Sequence, residues 1–121
     1  MKMLSPKLHG MIDFIAVIIF GLAPMAFGFR GIPAKISYLL AGVHLVMTLA
    51  TAFPCGLFKI IPMRIHSIVE FVVSITLVIL PWILGFSSEY AARNFYIGMG
   101  IIIFVVGLLT SHQTSDRKYQ P

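Results

Sequence analysis

A chain of 121 residues that is 59% hydrophobic and 11% charged, with a mean hydropathy of +0.97, excludes a water-soluble domain: so small a body has too little interior to hide that much apolar surface. The net charge of +5 does not point to nucleic acid, because nearly all the basic residues sit in breaks between apolar stretches, where positive charge sets membrane topology. Cys55 is the single cysteine, so no internal disulfide forms.

The apolar stretches are continuous rather than alternating, which selects helices over a barrel as the means of satisfying the backbone in lipid. The first runs over Leu8–Phe29 and carries His9, Asp13, Pro24 and Gly28. Only six residues precede Lys7, too few for a signal n-region, and the stretch is expected to be a retained span. A tight polar turn, Arg30 to Lys35, leads to the second stretch, Ile36–Pro54, with Ala41-Gly42 and a lone His44. A break containing Cys55, Lys59 and Pro62 precedes the third, Met63–Phe86, which opens with Arg64 and carries His66, Glu70, Pro81, Trp82 and Gly85. Ser87 to Arg93 form another turn, and the fourth stretch, Asn94–Ser111, holds Gly98, Gly100 and Gly107. Each stretch is close to the ~20 residues that cross ~30 Å of hydrocarbon. The expected fold is an all-α four-helix membrane bundle forming one domain.

Four spans put both termini and the middle break on one side. That side carries Lys2, Lys7, Lys59, Arg64, Arg117 and Lys118, against Arg30, Lys35 and Arg93 on the other. The bias predicts cytoplasmic termini in a bacterial-type inner membrane.

Sliding the chain by 57 positions aligns its halves without a gap. Lys7-Leu8-His9 falls on Arg64-Ile65-His66, Asp13-Phe14 on Glu70-Phe71, Pro24 on Pro81, Gly28-Phe29 on Gly85-Phe86, and Tyr38 on Phe95. Two hairpin repeats are expected, about 7–55 and 64–112, parallel and related by a pseudo-two-fold along the membrane normal. In this register Ile101 is the counterpart of His44, and His112 that of Cys55.

Leu80-Pro81-Trp82-Ile83-Leu84-Gly85-Phe86-Ser87 resembles the signature of the SPW-repeat membrane proteins, small proteins built from two-helix repeats with the signature in the first helix of each. The signature's Ser position is Leu80 here, and the first copy reads Ala23-Pro24-Met25, with neither Ser nor Trp. The resemblance implies the fold and brings no activity with it.

Pro24 and Pro81 are expected to bend their helices near Phe20 and Leu77, each freeing a carbonyl. The freed carbonyls serve helix wrapping or, alternatively, line a cavity or an ion site. Gly28 and Gly85 turn the chain out of the membrane, and Trp82 sits at the outer interface. The small residues of the second and fourth spans mark close helix contacts, within the chain or between protomers of a homo-oligomer.

His9 with Asp13, and His66 with Glu70, are separated by four residues, which stacks each imidazole over its carboxylate. Asp13 and Glu70 are the only acids within the spans, and an intramembrane carboxylate counts as a functional candidate. Three readings follow. The pairs are self-contained and glue the repeats together in a non-enzymatic structural or regulatory module. They converge on a first-row transition metal held by His9, Asp13, His66 and Glu70, with Cys55 and His112 as candidate extra ligands, or His9 and His66 hold a haem. Or they carry protons in a small proton-coupled or ion-conducting transporter that acts as an oligomer. His44 is expected to hydrogen-bond to a neighbouring helix, or to relay protons towards the cluster. No nucleophile–base pair and no phosphate loop is present, so no enzyme is expected, and the bilayer is the one partner the residues require.

Overall fold

The computed structural model describes residues 3–52 and 54–110. Four helices follow one another: α1 Pro6–Phe27, α2 Ile32–Ala50, α3 Met63–Ile83 and α4 Tyr90–Leu109. All four are long and apolar enough to cross a bilayer. Among the described residues the only β pairing is two isolated bridges, Leu4 with Thr110 and Thr51 with Ile61.

The helix ends differ from those expected by up to four residues, for local reasons. α1 starts at Pro6 because proline is pre-organised for the first helical position, and Ser5 caps it by accepting from the Leu8 amide at 3.2 Å. α2 likewise starts early, with Pro33 in its first turn behind Gly31, whose φ of 62° only glycine adopts readily. It stops at Ala50, ahead of Pro54. Gly28 and Gly85 both take positive φ, and the amides after them turn back onto Pro24 and Pro81: Phe29 N–H to the Pro24 carbonyl at 2.9 Å, Phe86 N–H to that of Pro81 at 2.8 Å.

α1 packs on α2, and α3 on α4, giving two hairpins, with α1 also touching α4. The bundle is inside-out relative to a soluble protein. Its surface is Ile, Leu and Val, among them Ile15, Val46, Val72 and Ile101, which only lipid tolerates as solvent. The interior divides along the bundle axis. Towards the two hairpin turns lies an apolar core of Phe20, Leu77, Phe29, Phe86 and Tyr96, and the Tyr96 hydroxyl donates to the Pro33 carbonyl at 2.7 Å. Trp82 lies at that end too, 57% exposed, as an interfacial aromatic should.

Pro24 frees the Phe20 carbonyl, and Ser37 of α2 takes it: its hydroxyl donates at 2.6 Å. In the first repeat the freed carbonyl therefore ties α1 to α2. Gly100 marks a true close contact, since a Cβ there would stand 2.6 Å from the Ser74 carbonyl oxygen. Gly42, Gly98 and Gly107 face open space, so the close contacts expected at these three do not form within the chain.

The repeat is real, but its register changes part-way. The first helices match at 57 positions, as Gly28 and Gly85 show. In the second helices, Thr51 bonds the Met47 carbonyl and the His66 ring, while Thr110, 59 positions on, bonds the Val106 carbonyl and the His9 ring. The second hairpin turn is two residues longer. The pairings of Tyr38 with Phe95 and of His44 with Ile101 are thus out of register. The counterpart of His44 is Ile103, and both are buried.

Candidate metal centre

α1 and α3 start at the same face of the bundle, where α2 and α4 end. His9 and His66 are each the fourth residue of their helix, and Asp13 and Glu70 each the eighth. The carboxylates therefore lie about 10 Å along the helix axis from its first residue, at 1.5 Å per residue. All four side chains point to the pseudo-two-fold axis, and none is more than 4% exposed.

They do not form two self-contained pairs. The Nε2 of His9 lies 2.7 Å from Glu70 Oε1 and 3.3 Å from Asp13 Oδ2. The Nε2 of His66 lies 3.0 Å from both the same two oxygens. Nitrogen and oxygen alternate around a four-membered ring, two corners from each repeat.

The other ring nitrogens are held from outside. The Thr51 hydroxyl gives its only hydrogen to the Met47 carbonyl at 2.6 Å, so towards His66 Nδ1, also at 2.6 Å, its oxygen accepts. Thr110 repeats this with the Val106 carbonyl at 2.6 Å and His9 Nδ1 at 2.7 Å. Both Nδ1 atoms therefore carry hydrogen, and both Nε2 atoms face the carboxylates. An outer hydrogen bond that fixes tautomer and ring orientation is the usual support of a metal-binding histidine.

His44, expected to hydrogen-bond to a neighbouring helix or to relay protons towards the cluster, stands at the cluster itself. Its Nε2 stands 3.4 Å from Asp13 Oδ1 and 3.4 Å from Glu70 Oε2, the two carboxylate oxygens outside the ring. It is buried, yet among the described residues this nitrogen has no well-directed hydrogen bond. Depth was the available signal: His44 is the seventh residue from the end of α2, nearly as far into the bundle as the acids.

Cys55 does not join the site; its Sγ donates to the Lys7 carbonyl at 3.4 Å. His112 lies outside the described residues. A haem between His9 and His66 has no room, because the carboxylate oxygens already fill that gap at hydrogen-bond distance.

Residues 7–110 match the SPW repeat domain, a match that covers most of the chain. The chain belongs to the SPW-repeat family. It is a multi-pass membrane protein of that family, and the match spans both hairpins. No curated protein and no solved structure matches it. The SPW signature itself, Pro81 and Trp82, stands at the opposite end of α3 from the histidine–carboxylate ring.

Proposed function

We propose that this SPW-repeat protein is a non-enzymatic membrane module that holds one divalent first-row transition-metal ion between its two repeats. One observation carries this: four donor atoms, two imidazole nitrogens and two carboxylate oxygens, converge within 4.8 Å of one another, with both tautomers set by threonines behind them. Donors held on one ion by bonds of about 2.0–2.1 Å stand about 3.0–3.4 Å apart, and the four nitrogen–oxygen contacts of the ring run from 2.7 to 3.3 Å. Mixed nitrogen and oxygen donors suit Zn²⁺, Mn²⁺ or Fe²⁺ rather than the soft, thiolate-preferring ions. His44, 3.4 Å from the outer oxygen of each carboxylate, supports both from behind.

Charge balance admits the same reading. Two ionised carboxylates buried among neutral imidazoles are costly in a bilayer. Two protons or one divalent cation neutralise them. Buried ion clusters seldom stabilise a fold better than apolar packing of the same volume, so glue alone is a poor reason for five ionisable side chains.

A second reading, a metal-free lock between hairpins, draws on the short contacts from His9 to Glu70 and from His66 to Asp13. Elemental analysis separates the two. Protein purified in mild detergent without a histidine tag is expected to hold or take up one ion per chain, and Asp13→Asn to lose it. Metal-free wild-type protein that stays so after incubation with zinc, manganese or iron(II) leaves the lock. The positive charge of Lys7, Lys59 and Arg64 at the cluster face supports an orientation with that face, and both termini, on the cytoplasmic side of a bacterial-type inner membrane.

A further inference from the structure

The two repeats differ where His44 stands in one and Ile103 in the other. On the α2 side an imidazole faces the carboxylates. On the α4 side the isoleucine offers no polar atom, and a cavity of about 110 Å³ follows the seam of α1 and α4 to Asp13 and Glu70. Its walls include Ile15, Ala16, Met99 and Ile103.

We propose that this cavity binds the ring of a lipid-soluble phenol or hydroquinol, whose hydroxyl donates to the carboxylate of Asp13 or Glu70. Three observations carry it. The walls are apolar and the neighbouring Ile15 and Ile102 are half exposed on the lipid surface, so a ligand arrives from the bilayer. The polar groups at the inner end are carboxylates, acceptors when ionised, so the ligand's polar atom is a donor, and an anion, which offers no hydrogen and must bury its charge, is disfavoured. The pseudo-two-fold relates this place to that of His44, a planar ring with one nitrogen 3.4 Å from each acid. A hydroxylated six-membered ring restores on the α4 side what the first repeat builds with its own imidazole. The size is of the right order: an enclosed apolar cavity of about 150 Å³ holds a benzene, and this one, about 110 Å³ and open towards lipid, takes the inner part of one ring and leaves its outer edge and any tail in the bilayer. The proposal stands on the cavity and the carboxylates and needs no bound metal.

The test is fluorine NMR of the full chain in detergent micelles, prepared metal-free, with 4-fluorophenol as probe. 4-Fluorotoluene and 4-fluorobenzoate, of similar size, serve as donor-free and anionic controls. Saturable binding of the phenol, at least tenfold tighter than either control, is expected. Ile103→Phe and, separately, Ile15→Trp fill the cavity from its wall and its mouth, and each is expected to weaken phenol binding at least tenfold while zinc uptake stays within twofold. Equal binding of phenol and toluene, phenol binding untouched by both variants, or no saturation above partition into empty micelles overturns the proposal. Phenol binding without zinc uptake overturns the metal centre alone, and zinc uptake without phenol binding overturns this site alone.

Discussion

The hydroxyl of Thr51 joins the end of the first repeat to the working histidine of the second: it accepts from His66 Nδ1 at 2.6 Å while donating to the Met47 carbonyl. Thr110 closes the circle with His9 at 2.7 Å. Each repeat thus orients the histidine of the other.

Thr51→Val keeps the shape and removes the acceptor. A buried N–H left without a partner costs about 1–3 kcal/mol, and loss of an outer-shell partner lowers metal affinity about 10–100-fold. Both effects are expected in Thr51→Val, read by thermal unfolding in detergent and by zinc titration. Thr51→Ser is expected to restore most of each. A valine variant as tight and as stable as wild type would remove the threonine from the centre.

His44 separates affinity from stability. Its Nε2 makes no well-directed hydrogen bond among the described residues, so His44→Leu is expected to leave the metal-free protein within about 1 kcal/mol of wild type, within the usual range for shape-conserving swaps. The same variant is expected to bind zinc at least tenfold more weakly. Unchanged zinc affinity would leave His44 as packing.

Ser37→Ala tests the proline kink. The substitution strands the Phe20 carbonyl that Ser37 satisfies at 2.6 Å, and an unpaired buried acceptor costs about 1–3 kcal/mol. Lower thermal stability with unchanged metal binding is expected, because the contact lies near the hairpin turn, away from the ring.

Gly100→Ala places a methyl group 2.6 Å from the Ser74 carbonyl oxygen and 2.8 Å from a Val78 methyl. α3 and α4 must separate, at about 1–3 kcal/mol for overpacking. Gly98→Ala, on the same helix but facing open space, is the control and is expected to be neutral. Equal unfolding temperatures for the two variants would contradict the close approach of the helices.

Four spans, two hairpins and the two histidine–acid pairs were legible because charge and apolar length are strong signals in lipid. The register of the second helices was not. Residues facing lipid are interchangeable, so nothing in Ile101 to Ile103 betrays the two-residue insertion in the preceding turn. The frame-shift hid the Thr51–Thr110 correspondence, which is visible only at a spacing of 59. His44 stands apart in the sequence because the spacing of 57 sets it against Ile101, although its distance from the end of α2 nearly matches the depth of the acids. Ser37 could have been paired with Pro24 only by knowing how α1 and α2 face each other.

Each of the two short contacts, His9 Nε2 to Glu70 Oε1 at 2.7 Å and His66 Nε2 to Asp13 Oδ2 at 3.0 Å, needs one hydrogen between nitrogen and oxygen. Whichever atom carries it, the metal-free ring holds two protons that a metal must displace. Calorimetric titration of metal-free protein with zinc, run in two buffers of different ionisation enthalpy, counts ions and protons together. One ion bound per chain with about two protons released is the predicted result. No binding, or binding that releases no protons, would contradict a metal centre built from His9, Asp13, His66 and Glu70.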